Sequence, residues 1–181
     1  MNNNYIAVII EGGAEKSIIN VLLDHHLLKF DRNEMLEEDV IRERNGRTFA
    51  REHLTFGFQN NQISILRILD SHNEKFKIPK AYQRLISSIT NLYTSPEIEM
   101  LFIVSNGDFD AFKNRKADKS GKKLSAHNWC KSHYKNMNNL KSPDFVYDYW
   151  NNQPDELVRT IKLYSRKCNY PFQNTLASIL K

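Results

Sequence analysis

The chain has 181 residues, which is room for one α/β domain with a substantial core and too few for two. Hydrophobic residues make up 40% and charged residues 26%, which excludes wholesale disorder, and no apolar run approaches the roughly 20 residues that cross a bilayer. A net charge of +5 leans towards a polyanionic partner, though Lys- and Asn-rich compositions carry the same excess without one.

Two cysteines, Cys130 and Cys168, are too few for a disulfide framework and fit a reducing compartment. The Met1-Asn-Asn-Asn start lacks the basic residues of a secretion signal, so the expected location is the cytoplasm.

In chain order, Tyr5-Ile-Ala-Val-Ile-Ile10 is continuously apolar and β-prone, the pattern of a parallel strand covered on both faces. It ends in Glu11 and a Gly12-Gly13 pair. From Ala14 to Phe30, Ile18, Ile19, Leu22, Leu23 and Leu27 recur at helical spacing, which predicts an amphipathic helix. Between 31 and 62 the reading is a short strand over Val40–Arg44, a turn at Asn45-Gly46 and a helix from Thr48 to Phe56. Ile63-Ser-Ile-Leu-Arg-Ile-Leu-Asp70 then repeats the opening pattern, an apolar β-branched run closed by a carboxylate.

Beyond it, Pro79–Ile89 reads as helical, Thr90–Thr94 as a short strand and Pro96–Ser105 as a helix, started by Ser95-Pro96 and ended by Gly107. Short helices are expected at 108–115, 125–136, 143–150, 154–168 and 171–180. The chain therefore divides into an α/β core over residues 1–105 and a helical extension over 106–181, packed as one unit.

In an open parallel sheet, ligands bind beyond the carboxyl ends of the strands, so Glu11 and Asp70 are expected on one rim. Two acids there suit a hard cation such as Mg²⁺, which takes oxygen ligands and retains waters for exchange with phosphate. Acids in such places also serve as helix caps or ion-pair partners, and spacing alone leaves both readings open.

Strand, Glu11-Gly12, helix, and a second strand ending in Asp70 resemble the TOPRIM fold of topoisomerases, primases and OLD-type nucleases. Glu11-Gly-Gly-Ala-Glu-Lys16 and Tyr93-Thr-Ser-Pro96-Glu-Ile-Glu99-Met-Leu-Phe102 are similar to two segments of the RloB/AbiLii group of phage-defence proteins. The likeness covers residues 5–105, is weaker over 31–62, and does not extend to 106–181. It departs where the superfamily carries Asp-x-Asp, since Asp70-Ser71-His72 places a histidine at the second acid.

The resemblance implies a metal-dependent nuclease acting against phage or mobile elements, with Mg²⁺ or Mn²⁺ as cofactor, nucleic acid as substrate and a separate ATPase as partner. Within it, Glu11 serves as general acid/base or metal ligand and Asp70 as metal ligand. Glu99 completes the site, and His72 stands in the second acid's place. Imidazole favours softer ions than Mg²⁺, so a catalytically degenerate TOPRIM-like scaffold that binds a protein or nucleic acid is the alternative.

For phosphate contact the candidates are Gly12 and Gly13, Lys16 at the helix start, and Arg47 and Arg51 in the basic strip that also holds Arg42 and Arg44. Each cation is equally explained by solvation or by pairing with the acids at 34–39. The run Lys113–Lys123 holds six cations and one acid, and is either a phosphate contact or a solvated loop. His127, Cys130 and His133 drift round a helix and supply at most three zinc ligands. The late aromatics Phe145, Tyr147, Tyr149, Trp150, Tyr164 and Tyr170 suggest base stacking on single strands, but they recur at helix-like spacings with Val146, Leu157, Val158, Ile161 and Leu163, so core packing of the C-terminal helices is the better reading.

Overall fold

The structure, a computed structural model, describes residues 4–55, 58, 61–70, 75–94, 98–135, 137, 139, 140 and 142–181. Its centre is a parallel sheet of three strands in the order β1 (Tyr5–Ile10), β2 (Ile63–Leu69), β3 (Ile86–Tyr93). β1 pairs with β2 from Tyr5↔Ile63 to Ile10↔Ile68, so the two strands end level. Beyond the free edge of β1, residues 35–41 add single parallel bridges, Ile6↔Met35 and Ile9↔Ile41. The strand expected over Val40–Arg44 is reduced to that one contact at Ile41, whose N–H donates to the Val8 carbonyl at 2.8 Å.

Alternation along the strands divides the core into two layers. Ala7, Ile9, Ile63 and Ile65 face α2 (Gly46–His53), where Phe49 and Ala50 are fully buried. Val8, Ile10, Ile68 and Leu92 face the larger layer. That layer holds α1 (Gly13–Asp24), α3 (Met100–Ser105), α4 (Phe109–Lys113), α5 (Ala126–His133), α6 (Pro143–Asn151) and α7 (Pro154–Lys167). The architecture is α/β, a parallel sheet flanked by helices, compatible with a Rossmann-like fold. Residues of the 106–181 segment, among them Leu140, Val146, Trp150 and Leu157, share one buried cluster with β1 and α1. Tyr149 and Trp150 pack as expected, with the Phe102 ring 4.9 Å from Tyr149 and 5.2 Å from Trp150. Among the described residues, no helix is long and apolar enough to cross a membrane.

Three local expectations need correction. Residues 79–89 are helical only in part: Lys80–Leu85 form a 3-10 helix and Ile86 already opens β3. Ser87, Ser88 and Ile89 are exposed on this outer strand, so pairing with β2 decides their conformation where their own periodicity is weak. Asn45-Gly46 is a helix start, since the Asn45 side chain accepts from the N–H groups of Arg47 and Thr48 at 2.9 and 3.2 Å. The helix expected over 171–180 is replaced by two 3-10 turns, Phe172–Asn174 and Leu176–Ile179, which bring Leu180 against Leu28.

Gly46 is required for close approach. A Cβ there would stand 2.8 Å from the backbone N, C and O of Lys77, and backbone cannot rotate aside as a side-chain tip can. Gly46→Ala is therefore expected to destabilise the fold by about 1–3 kcal/mol, as overpacking does. Thermal melting checks this, and an unchanged melting temperature would refute the contact.

Candidate functional site: an acidic cleft at the carboxyl rim of the sheet

The level ends of β1 and β2 carry Glu11 and Asp70 to the same rim. The Asp70 backbone N–H donates to Glu11 Oε2 at 3.0 Å, which ties one strand end to the other. The other Glu11 oxygen, Oε1, is buried with no hydrogen-bond partner among the described residues. A buried polar group left this way costs about 1–3 kcal/mol, more when charged, and an exception of this kind calls for an explanation.

Glu11 lies on the wall of a cleft of about 540 Å³, together with Glu15, Asp70 and Glu99. Glu11, Glu15 and Glu99 are only 5%, 7% and 7% exposed, a degree of burial that glutamate almost never reaches without a partner. Glu15 comes from the first turn of α1, where an acid is favoured by the helix dipole. Its carboxylate accepts from its own backbone N–H and lies against Gly12, where any Cβ would collide with Glu15 Oε2. Glycine at position 12 thus leaves the space that Glu15 uses.

Glu99 immediately precedes α3, and His127 Nδ1 of α5 lies 3.2 Å from its Oε1. Ser125 starts α5 by accepting from the Asn128 N–H, which sets His127 in the first turn, over the cleft. Arg44 is the cation among the cleft's lining residues.

Burial, hydrogen bonding and like charge act together on the carboxyls of the cluster. Burial first, then the charges of Asp70, Glu99 and Glu11, raise the Glu15 carboxyl above its ordinary value, against its backbone hydrogen bond. Asp70 is raised first by a hydrogen bond with Glu11, then by desolvation and by the Glu11 charge, with Arg44 opposing. A group raised in the folded state adds stability below its unfolded value and loses it as pH rises through the folded value. The metal-free protein is therefore expected to become less stable as pH climbs from the ordinary carboxylate range through the raised values of Glu15 and Asp70. Melting temperature against pH in EDTA checks this, and Glu15→Gln should flatten the curve.

Of the candidates from sequence, Glu11, Gly12, Gly13, Asp70 and Glu99 line the cleft. Lys16 does not, because its Nζ pairs with Asp39 at 2.9 Å beside α1. Arg47 and Arg51 do not either: both are exposed on α2, and Arg51 pairs with Glu52 at 3.0 Å. Within the basic strip it is Arg44, placed just before α2, that reaches the rim. His72 lies outside the described residues, as do Ser71, Pro96 and Glu97.

Glu15 and His127 were not among the candidates. An acid in a first helical turn is ordinary in sequence, and His127 was grouped with Cys130 and His133. Those three diverge, since Cys130 is buried in the core and the His133 ring stacks on Trp129 at 3.8 Å. Among the described residues, no group of three or more His, Cys, Asp or Glu side chains already converges on a point that could hold a metal ion. The cleft is an acidic wall around an open volume. Compared with family models, with curated proteins and with solved structures, the chain gives no match.

Proposed function

We propose that the chain is a TOPRIM-like nuclease whose acidic cleft binds a divalent cation, Mg²⁺ or Mn²⁺, and hydrolyses phosphodiesters, in defence against phage or mobile elements. The observation that carries this reading is Glu11: a buried carboxylate with one oxygen unpartnered among the described residues, in a cleft lined by other carboxylates. A cation in the cleft would relieve the repulsion among them and take up the orphaned oxygen, and an all-oxygen donor set suits a hard ion.

Glu11, Asp70 and Glu99 are the residues that would hold the ion. When bound, it lowers the pKa of water and neutralises charge on the phosphate. The chain's own groups do the rest. The Asp70 N–H fixes the orientation of Glu11 by holding Oε2, so that Oε1 would be the oxygen that takes the ion. Arg44 sets a positive charge at the mouth of an otherwise acidic cleft, where an anionic backbone must enter. His127, held by Glu99, forms the facing wall. A separate ATPase is the partner that the sequence resemblance implies.

Purified protein incubated with supercoiled DNA and with RNA, in Mg²⁺ or Mn²⁺, tests the reading beside Glu11→Gln and Asp70→Asn variants. Cleavage by the wild type alone supports it, whereas cleavage that survives both substitutions removes these residues from the chemistry. No cleavage under any condition points to the scaffold alternative, a TOPRIM-like domain that binds a partner without catalysis.

A further inference from the structure

We propose that the basic hairpin over residues 115–123 and the aromatic groove beside it form a seat for single-stranded nucleic acid. The proposal rests on the phosphodiester reading of the cleft for what happens to the strand, but not for the binding itself.

The segment Lys113–Lys123 is built, not merely charged. Ala117 and Lys123 bridge across it, the Asp118 N–H donates to the Lys122 carbonyl at 2.8 Å, and Gly121 closes the turn at φ +80°. Its one acid is used internally. Asp118 Oδ1 accepts from Ser120 N–H at 2.8 Å, Ser120 Oγ at 2.6 Å and Lys122 N–H at 3.0 Å, which holds its carboxyl below the usual range. Arg115 pins the base, donating to the carbonyls of Leu124 and Phe112 at 2.5 and 2.6 Å with its guanidinium 3.6 Å from the Phe112 ring centre. Lys113, Lys116, Lys119, Lys122 and Lys123 are all exposed, and none makes an ion pair with the described residues. Five ammonium groups presented on an ordered frame, with one oxygen of the local acid taken up by the turn, match a row of phosphates.

At the start of the hairpin lies a groove of about 320 Å³, with Phe109, Tyr164 and Tyr170 in its lining and Lys113 and Lys167 beside them. The Lys167 Nζ stands 4.8 Å from the Phe109 ring centre and 3.6 Å from Asp110 Oδ2, and the Tyr170 ring stacks on Tyr93 at 5.1 Å, which leaves its other face for a base. Aromatic rings next to cations bind unpaired bases, which stack on the rings while phosphates meet the cations; a duplex keeps its bases stacked on one another. At its other end the hairpin runs into Ser125 and His127 on the wall of the acidic cleft. One short ordered segment therefore joins a base-stacking groove to the carboxylate cleft, and an anionic strand that follows the lysines arrives there.

The test is fluorescence anisotropy with labelled oligothymidylate, a duplex of equal length, polyglutamate and phosphatidylglycerol vesicles, in EDTA so that no strand is cut. Wild-type protein is expected to prefer the single strand. Combining Lys116→Ala, Lys119→Ala and Lys122→Ala should weaken binding at least about tenfold and lower the log–log salt slope by about 2, the value for three single-strand phosphate contacts. Tyr170→Leu should weaken binding about fivefold or more with the slope unchanged, as loss of a stacked base does. Unchanged affinity and slope in the lysine variant would overturn the proposal. So would equal or tighter binding of duplex, polyglutamate or vesicles.

Hydrolysis of bis(p-nitrophenyl) phosphate in Mn²⁺ separates the two readings. If the wild type is inactive but strand binding depends on the hairpin, the nuclease reading fails and this proposal stands. If hydrolysis is lost in Glu11→Gln while the lysine variant binds the strand normally, the reverse holds.

Discussion

Trp150→Ala is expected to cost about 3–5 kcal/mol, the range for removing a fully buried tryptophan. Domains of this size are stable by only about 5–15 kcal/mol, so much of the total is at stake. At roughly 2–4 °C per kcal/mol, melting should fall by about 6–20 °C. Trp150 has no exposed surface, and its ring lies 5.2 Å from Phe102 of α3 and 4.9 Å from Tyr149. It locks α6 onto the sheet layer, and at the other end of α6 the Pro143 carbonyl accepts from Ser17 Oγ of α1 at 2.6 Å. Loss of the ring should therefore loosen the start of α1, beside Gly12 and the cleft. The indole Nε1 has no hydrogen-bond partner among the described residues, so Trp150→Phe loses only volume and should cost much less. Calorimetric melting of both variants is the check. If Trp150→Ala melts with the wild type, the C-terminal helices are not part of the core that supports the site.

Glu11→Gln should lower phosphodiester cleavage by on the order of 10³-fold, about 4 kcal/mol of transition-state stabilisation. The substitution keeps shape and leaves an amide oxygen to accept the Asp70 N–H. It removes a charge that adds to burial and hydrogen bonding in raising Asp70 and Glu15, so the metal-free protein should melt at the same temperature or higher. Lost activity with unharmed or improved stability distinguishes a functional carboxylate from a structural one, whose removal would lower both. Initial rates of plasmid nicking, paired with melting in EDTA, give the two numbers. A variant that is both destabilised and fully active would reverse the assignment.

The legible parts of the fold were those whose signal is local. Tyr5–Ile10 and Ile63–Leu69 are apolar β-branched runs that parallel pairing buries on both faces, and they fold as read. β3 was half missed because Ser87, Ser88, Thr90 and Asn91 carry no apolar alternation; its strand character comes from β2, across the sheet. The site divides in the same way. Glu11 and Asp70 follow from strand ends and register, since Ile10 opposite Ile68 delivers the next residues to one rim. The burial of Glu15 depends on what packs over α1, and His127 meets Glu99 across 28 residues of chain. Lys16 and Arg51 carried the right charge for phosphate, but nearer acids claimed them.

The most direct measurement of the central claim is thermal melting in EDTA and then in Mg²⁺ or Mn²⁺, for the wild type and for Glu11→Gln combined with Asp70→Asn. An ion at a hundred times its dissociation constant adds about 2.7 kcal/mol, so the wild type should gain about 5–10 °C. The double variant should start at or above the wild type in EDTA and gain nothing. A wild type indifferent to both ions, or an equal gain in the double variant, would contradict a cation held by Glu11 and Asp70.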